Sequence, residues 1–221
     1  MLSDYKMLQR TAYDYLKGEI LSGRMSEDTI YSETRIAQSL SISRTPVRDA
    51  LVRLSDEKYI DIFPSRGFIL HKPTEKDLRV AYQTREAVET YCALCLARHA
   101  NEPDGRQRIR ELEGFLRIQK ETAELACFRE MDVAFHTGIV RYLENDTFNV
   151  LVDQYMHFFI AMRVDLFQSS HRRLTATEEH EAILYALKQG DPDLVLKSVK
   201  LHIDRSLEMV QTEKLQQAES V

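Results

Sequence analysis

The spacing of apolar residues divides the chain into an N-terminal part with short elements and a longer, helical C-terminal part. Apolar positions recur at helical spacing over about 5–21, 32–40 and 45–57. The third segment opens on Thr45-Pro46, which predicts Thr45 as N-cap and Pro46 as the first helical residue. One face of this helix is apolar and is predicted to point inward; it carries Val47, Ala50, Leu51 and Leu54.

Two short apolar segments, "YIDIF" and "GFILH", follow the third helix. They are rich in β-branched and aromatic residues and are separated by "PSR" leading into Gly67, so they predict a β-hairpin. Three helices followed by a hairpin, within about seventy residues, is the order of a winged helix-turn-helix.

Beyond Pro73-Thr74 the pattern is helical throughout. It predicts six antiparallel helices that pack as a bundle, and a fold that is mainly α. The domain assignment is therefore 1–73 for the winged helix-turn-helix and 74–221 for the helical domain. The predicted helices are 75–100, 104–124, 127–144, 147–168, 176–189 and 192–213.

Composition restricts the class of protein. No run of about 18 apolar residues is present, and "MLSDYKMLQR" lacks the apolar centre of a signal peptide, so a cytoplasmic protein without a membrane partner is expected. Three cysteines make a disulfide framework unfavourable. Cys92 and Cys95 form a CxxC within a helical stretch, where we interpret them as small core residues.

Charge is distributed unevenly. The chain has a net charge of -5, but residues 1–73 contain 11 Lys and Arg against 10 Asp and Glu, and residues 74–221 contain 19 against 25. The acidity thus belongs to the second part, and a nucleic-acid surface is compatible with the first.

The third predicted helix carries candidate DNA-reading residues. Arg44 and Arg48 lie four residues apart, with Thr45 beside them and the apolar face opposite. Cations and hydroxyls at a helix N-terminus can contact phosphates and guanine edges in a major groove. The spacing alone leaves an ordinary charged surface helix equally open.

The order of residues in this region is more specific than the arginine spacing alone. "SRTPVRDAL" and "RLSDEKYIDIFPSRGFIL" resemble the N-terminal domain of the GntR family of bacterial transcription regulators. The resemblance implies binding to a double-stranded, palindromic DNA operator, with the wing tip at the minor groove and Arg35 in place of an arginine that the family has one position earlier. The implied DNA-binding residues are Arg35, Ser43, Arg44, Thr45, Arg48, Arg66 and Gly67.

Polar residues on apolar helical faces point to a metal site. Asp132 and His136 are spaced i,i+4, His180 aligns with Ile183 and Leu187, and His202 aligns with Val199. Each histidine alone is better explained by a hydrogen bond within the core, and Asp132 by a local bond to His136. Three inward histidines and a carboxylate are explained together by one shared cation, for which Zn, Ni, Fe, Co or Mn is suitable.

The second domain also resembles a known one. Asp132, His136, His180 in "EEHEAIL" and His202 match the pattern of the FCD domain, found in the FadR-type branch of GntR regulators. The resemblance implies that these four residues hold a divalent metal at the base of a pocket for a small carboxylate effector. It also implies a homodimeric, ligand-responsive regulator, and a repressor is favoured over an activator.

Two arginines are candidates for binding the effector. Arg85 in "YQTREAVET" shares a helical face with Val88 and Cys92 and is directed inward, where effector binding is favoured over the alternative of a salt bridge to Glu89. Arg163 in "FFIAMRVDL" is a second candidate. A metal-sensing regulator and a metalloenzyme remain alternatives, but no HExxH-type base accompanies the four ligands, so we expect no catalytic residues and no enzyme.

Overall fold

The computed structural model describes residues 2–21, 24–26, 29–161, 167 and 169–219. Within these ranges the chain forms nine helices and two strands, which confirms the mainly α class. It divides into two compact units: one contains residues 1–75 and 157–161, and the other contains the rest of the described chain. No helix in the described ranges is both long and apolar enough to cross a membrane.

The first unit is a winged helix-turn-helix, as predicted. Its helices are α1 (Leu2–Leu21), α2 (Glu33–Ser39) and α3 (Arg44–Asp56), and its strands are β1 (Ile60–Phe63) and β2 (Gly67–Leu70). The strands pair antiparallel in a hairpin. Tyr31 adds an isolated bridge to Phe68, with backbone hydrogen bonds of 2.8 and 3.0 Å, and so ties the segment before α2 to the wing.

The apolar face of α3 is buried, which confirms the pattern. Val47, Ala50, Leu51 and Leu54 are spaced i, i+3, i+4 and i+7, and they pack in one core with residues of α1, β1 and β2. Burial of this face leaves the polar face of α3 on the surface of the unit.

The predicted start of α3 was wrong by two residues. Ser43 is the N-cap, with φ -71° and ψ 162°, and Arg44 is already helical. Thr45 and Pro46 therefore lie within the first turn, where the missing N–H of proline needs no helical partner. The consequence is that Arg44, as well as Arg48, is carried by the helix itself.

Gly67 is required by the backbone of the wing. Its φ is +122°, and a Cβ at this position would lie 2.2 Å from the carbonyl oxygen of Tyr31. The close approach that Gly67 permits in the structure is to the chain's own backbone, and its contact with DNA stays a prediction.

Six helices follow the wing in the described chain, and each of them was predicted. α4 spans Glu75–Arg98, α5 Pro103–Glu121, α6 Leu125–Arg141, α7 Asp146–Ala161, α8 Ser170–Gln189 and α9 Pro192–Glu219. α5 packs against α6 and α8, and α8 packs against α9. This packing brings α6, α8 and α9 together, and these are the helices that carry the three candidate histidine ligands.

Two predicted helix bounds are wrong by six residues: α8 begins at Ser170 rather than at residue 176, and α9 ends at Glu219 rather than at residue 213. The break predicted in "SSHRRLT" is wrong because Arg172 and Ala176 are buried at i-8 and i-4 from His180. The inward face of α8 thus begins more than one turn before residue 176. The apolar pattern did not reveal this turn because Arg172 occupies an inward position in it.

Candidate DNA-reading surface and metal centre

The N-terminal end of α3 is exposed. Arg44 and Arg48 have 56% and 61% of their side chains accessible, and Ser43 and Thr45 are also exposed. Arg35 on α2 and Arg66 before β2 are exposed as well. All the predicted DNA-contacting side chains of this unit are therefore available to a partner.

Glu33, the first residue of α2, joins the two α3 arginines. Its carboxylate accepts a hydrogen bond from Arg44, and two from Arg48, at 2.8 Å from Nη2 and 3.2 Å from Nε. These bonds, from Arg48 and Arg44, lower the pKa of Glu33 to about 2, so it is ionised near neutrality. One carboxylate thus fixes both guanidinium groups beside each other, a feature that sequence spacing did not reveal.

The second unit gathers three imidazoles in its interior. His136 of α6, His180 of α8 and His202 of α9 are at most 2% exposed. Nε2 of His136 lies 3.2 Å from Nε2 of His180 and 3.2 Å from Nε2 of His202. The three rings offer ligand atoms that all lie within 4.8 Å of one another.

Each histidine has an outer partner for its other ring nitrogen. Nδ1 of His136 lies 2.9 Å from Glu89, Nδ1 of His180 lies 2.9 Å from Oε1 of Gln119, and Nδ1 of His202 lies 2.8 Å from Glu179. An oxygen acceptor at Nδ1 assigns the proton to that nitrogen and leaves an Nε2 lone pair directed inward. Such outer partners are typical of metal-ligating histidines.

Asp132 lies at the edge of this group. Its Oδ1 is 3.7 Å from Nε2 of His180 and accepts a hydrogen bond of 3.2 Å from Nε2 of Gln119. The side chain is 16% exposed. Burial raises its pKa to about 6, against the lowering effect of Arg85. The simple alternative of a local Asp132–His136 pair is not what orders these residues, since each has another partner.

Arg85 of α4 also reaches the histidine cluster. Its Nη2 lies 2.9 Å from Nε2 of His136 and 3.1 Å from Nε2 of His202, while its Nε donates to Glu89 at 2.9 Å. The guanidinium is 5% exposed. Both sequence interpretations of Arg85 thus describe part of its geometry, because it pairs with Glu89 and also points into the histidine cluster.

The electrostatics of the cluster favour neutral imidazoles. Burial holds the pKa of all three histidines well below the ordinary value of 6.5, and the nearby Arg85 charge acts in the same direction. Neutral imidazole is the form that binds a metal.

The donor set fits a divalent metal. Ligand atoms placed about 2.0 to 2.2 Å from a tetrahedral ion lie roughly 3.4 Å from one another. The His136 Nε2 distances of 3.2 Å and the Asp132–His180 distance of 3.7 Å fall close to that value. His136, His180 and His202 could hold an ion, which would supply a Lewis-acidic position for a ligand oxygen.

Several residues of the cluster were not found by sequence reasoning. Glu179 could have been suspected from its place beside His180, and Glu89 was considered only as a partner of Arg85. Gln119 gave no signal, because a single glutamine on an amphipathic helix is usually exposed. Arg163 lies outside the described residues.

Comparisons with known proteins agree with both units. The chain matches the description of bacterial regulatory proteins of the gntR family over residues 8–70 and that of the FCD domain over residues 80–205. It is 30% identical over 200 residues to the gluconate operon transcriptional repressor of Bacillus subtilis (strain 168), covering 88% of this chain and 81% of the relative.

A second relative and a solved structure extend the comparison. The probable D-xylose utilization operon transcriptional repressor of Paenarthrobacter nicotinovorans is 27% identical over 197 residues, covering 86% and 83% of the two chains. The structure of E. coli McbR/YncC has a TM-score of 0.70 at 18% identity, covering 93% of this chain and 98% of that one, which shows a shared fold.

A DNA-binding winged unit followed by a helical domain defines a class of transcription regulators, and enzymes are not among these matches. The chain belongs to the GntR family and carries an FCD domain. It is accordingly a DNA-binding transcription regulator, and the named functions of its relatives favour a repressor.

Proposed function

We propose that this regulator binds a divalent metal through Asp132, His136, His180 and His202, and that a small carboxylate effector bound beside the metal controls its affinity for operator DNA. Residues 1–73 bind DNA, and residues 74–221 bind metal and effector and form a homodimer. The observation that carries this proposal is the convergence of three buried, neutral Nε2 atoms, each opposite a hydrogen-bonded Nδ1.

The outer hydrogen bonds argue for a metal rather than for ordinary core histidines. A buried imidazole needs partners at both ring nitrogens, and one partner for each Nδ1 comes from Glu89, Gln119 and Glu179. Nε2 of His136 then lies 3.2 Å from Nε2 of His180 and from Nε2 of His202, and lone pairs at this separation repel unless a cation lies between them. In the described chain Nη2 of Arg85 lies beside two of the three rings.

The effector class follows from Arg85. A buried guanidinium beside a metal position offers a planar fork for a carboxylate that also contacts the metal. The Bacillus subtilis relative is named for the gluconate operon. A sugar acid, with one carboxylate and several hydroxyl groups, is therefore the first class of effector to examine, and D-gluconate is the first compound.

Control of DNA binding would arise by population shift. The effector favours one arrangement of the dimer, and this arrangement holds the two winged units at a spacing that differs from the half-site spacing of a palindromic operator. Arg35, Ser43, Arg44, Thr45, Arg48, Arg66 and Gly67 contact the operator when the spacing fits.

The test begins with selection of duplexes from a random pool by zinc-loaded protein. Affinity for the selected duplex is then measured with D-gluconate, with other three- to six-carbon acids, and with zinc removed by a chelator. We expect palindromic duplexes, and release of DNA by at least one acid only when metal is present. Release by metal alone would identify a metal sensor, and an equal response to acids in the metal-free protein would contradict the proposed metal centre.

A further inference from the structure

Two exposed apolar side chains flank Gly67 on the outer face of the wing. Phe63 of β1 pairs with Gly67 of β2 and is 40% exposed. Ile30 lies on the other side of Gly67 and is 53% exposed. Its Cγ2 atom is 3.1 Å from the position that a Cβ of Gly67 would take. Since glycine adds no side chain between them, these three residues form one apolar surface, called here the wing patch (Ile30, Phe63 and Gly67).

The wing patch is separate from the core of the hairpin. The inward face of the hairpin carries Ile60 and Phe68, both of which are fully buried. Neighbouring residues of a strand point to opposite faces, so Phe63 points away from this core, whereas Ile62 shares its face. Packing within the hairpin core therefore does not explain the aromatic ring at residue 63, and adjacent exposed apolar side chains favour contact with a partner.

The wing patch lies close to the reading helix α3. Tyr31 follows Ile30 and joins the wing through two backbone hydrogen bonds, of 2.8 and 3.0 Å. Glu33, whose carboxylate holds Arg48 of α3, is two residues further along the chain. Two residues span at most about 7 Å, so the wing patch and the α3 arginines are near one another within this unit.

The charge at the wing tip favours DNA as the partner of the patch. The backbone N–H of Arg66 donates to the carbonyl oxygen of Phe63 at 3.0 Å and closes the turn between the strands. Arg66 is exposed, so a cation and an apolar ring lie at the same tip. Arginine is attracted by the negative potential of a narrow minor groove, where apolar side chains also contact base steps. When α3 lies in a major groove, a tip beside α3 meets the adjacent minor groove.

An apolar surface in a minor groove discriminates between base pairs. The floor of this groove presents only acceptors at A·T pairs, whereas G·C pairs add the N2 amino group of guanine, a donor. Phe63 and Ile30 offer no acceptor in their side chains, so an amino group beneath them would lose water without a new hydrogen bond. The acceptors of an A·T pair can instead be satisfied by a donor such as Arg66.

We infer that the wing patch contacts the minor groove beside the α3 site and selects A·T base pairs there. Phe63 and Ile30 then determine specificity, in addition to the DNA contacts proposed for Arg66 and Gly67. This inference rests on the proposed DNA-reading function of the same unit. The preference arises from exclusion of an amino group rather than from a hydrogen bond to a base.

Base analogues test this inference with the full-length, zinc-loaded protein and the duplex selected from a random pool. Each base pair of a half-site is changed in turn, and affinity is measured by fluorescence anisotropy. Two comparisons are made at each position: A·T with diaminopurine·T, and inosine·C with G·C. The members of each comparison differ only in the minor-groove amino group, so the major-groove surface read by α3 is kept constant within it.

We expect at least one position per half-site at which the amino group weakens wild-type binding roughly tenfold in both comparisons. Phe63→Ser and Ile30→Ser should bind the unmodified duplex more weakly and lose most of this discrimination. Ile30 lies outside the two strands, so its variant serves if Phe63→Ser does not fold. Ile62→Ser is the matched control and should discriminate as wild type does, because Ile62 is 39% exposed but lies on the opposite face of β1.

Salt dependence separates an apolar contact from a charged one. Phe63→Ser should leave unchanged the slope of the logarithm of operator affinity against the logarithm of salt concentration. Arg66→Ala should reduce the magnitude of this slope by about one, as expected for the loss of one cation from the DNA surface. A slope in Phe63→Ser that changes as much as in Arg66→Ala would contradict an apolar contact.

No response to the amino group at any position, or wild-type discrimination in both Phe63→Ser and Ile30→Ser, would overturn the inference. Arg48→Ala distinguishes this result from failure of the reading surface itself. Loss of operator binding in Arg48→Ala, together with no response to the amino group, refutes the wing patch alone. Wild-type operator affinity in Arg48→Ala refutes the reading surface, and the role of the wing patch with it.

Discussion

The guanidinium of Arg85 lies 2.9 Å from Nε2 and 3.2 Å from Nδ1 of His136, so a positive charge of the chain itself stands beside the imidazole cluster. Nη2 of Arg85 is also 3.1 Å from Nε2 of His202. A metal bound by these nitrogens would place a second positive charge close to Arg85. The guanidinium could keep its bond to Glu89 and present its remaining donors to a ligand beside the metal.

We expect Arg85→Ala to retain metal, with zinc affinity equal to or tighter than that of wild type, and to lose its response to the effector. The metal site loses the nearby positive charge of Arg85, whereas the effector loses the planar guanidinium that would bind its carboxylate. Competitive zinc titration and calorimetry with the tightest acid measure the two effects. Arg98→Ala, an exposed residue of the same helix, is the control. Effector affinity unchanged in Arg85→Ala would remove Arg85 from the effector site.

Replacing Arg44 or Arg48 with Ala should remove specific operator binding without loss of the fold, because both side chains are largely exposed. A base-contacting arginine contributes about 1 to 3 kcal/mol of specific binding, and a phosphate contact mainly changes the salt dependence. Fluorescence anisotropy with selected and scrambled duplexes at several salt concentrations distinguishes these roles. Arg24→Ala, exposed and paired with Glu19, should behave as wild type. Wild-type operator affinity in both α3 variants would show that this helix does not read DNA.

Glu33→Gln should reduce discrimination between operator and random DNA. The ionised carboxylate of Glu33 holds both reading arginines, and it also repels phosphate. The amide should therefore strengthen binding to random duplexes and leave the arginines less ordered for base contacts. The measured quantity is the ratio of the two dissociation constants in the anisotropy assay. A ratio equal to that of wild type would mean that the Glu33 bridge has no part in reading.

The metal-free protein should become less stable to denaturant as the pH falls below 6.5. Burial keeps the folded-state pKa of His136, His180 and His202 well below 6.5, so the unfolded chain binds more protons in this range. Asp132 acts in the opposite direction. Its pKa is raised from 3.8 to about 6, and its contribution is present at low pH and lost as pH rises through 6. Three imidazoles should outweigh one carboxyl.

Urea unfolding of chelator-treated protein at pH 7.5 and 5.5 measures this effect. His180→Gln should show a smaller loss of unfolding free energy between the two pH values, because one buried imidazole is gone. His171→Gln should show the wild-type loss, since His171 is exposed. A free energy of unfolding that does not change between these pH values, or that rises at pH 5.5, would contradict buried neutral histidines.

The helices were predictable because their apolar faces are regular. Val47, Ala50, Leu51 and Leu54 define the inward face of α3 without ambiguity, and the same holds for the faces that carry His180 and His202. The first turns of α8 were missed because a buried arginine, Arg172, occupies a position where the pattern requires an apolar residue. Local pattern does not reveal burial of a charged group, which depends on partners from other helices.

The inward direction of the candidate ligands also followed from the sequence, but their partners did not. Helical spacing places His136 on a buried face, yet it does not indicate that Glu89, 47 positions earlier, accepts its Nδ1 proton. Similarly, Glu33 and Arg48 are 15 positions apart and meet only because α2 packs on α3. Hydrogen bonds between helices depend on helix packing, and a single sequence carries little information about it.

The metal content of the purified protein tests directly whether the buried histidines hold an ion. Wild type, His180→Ala and His202→Ala are purified without chelator, dialysed against zinc, and analysed for bound metal per folded chain. We expect about one ion per chain in wild type and a large loss in both variants, because each imidazole is one of the few ligands. Wild type without bound zinc, nickel, iron, cobalt or manganese after dialysis, or full occupancy in both variants, would contradict it.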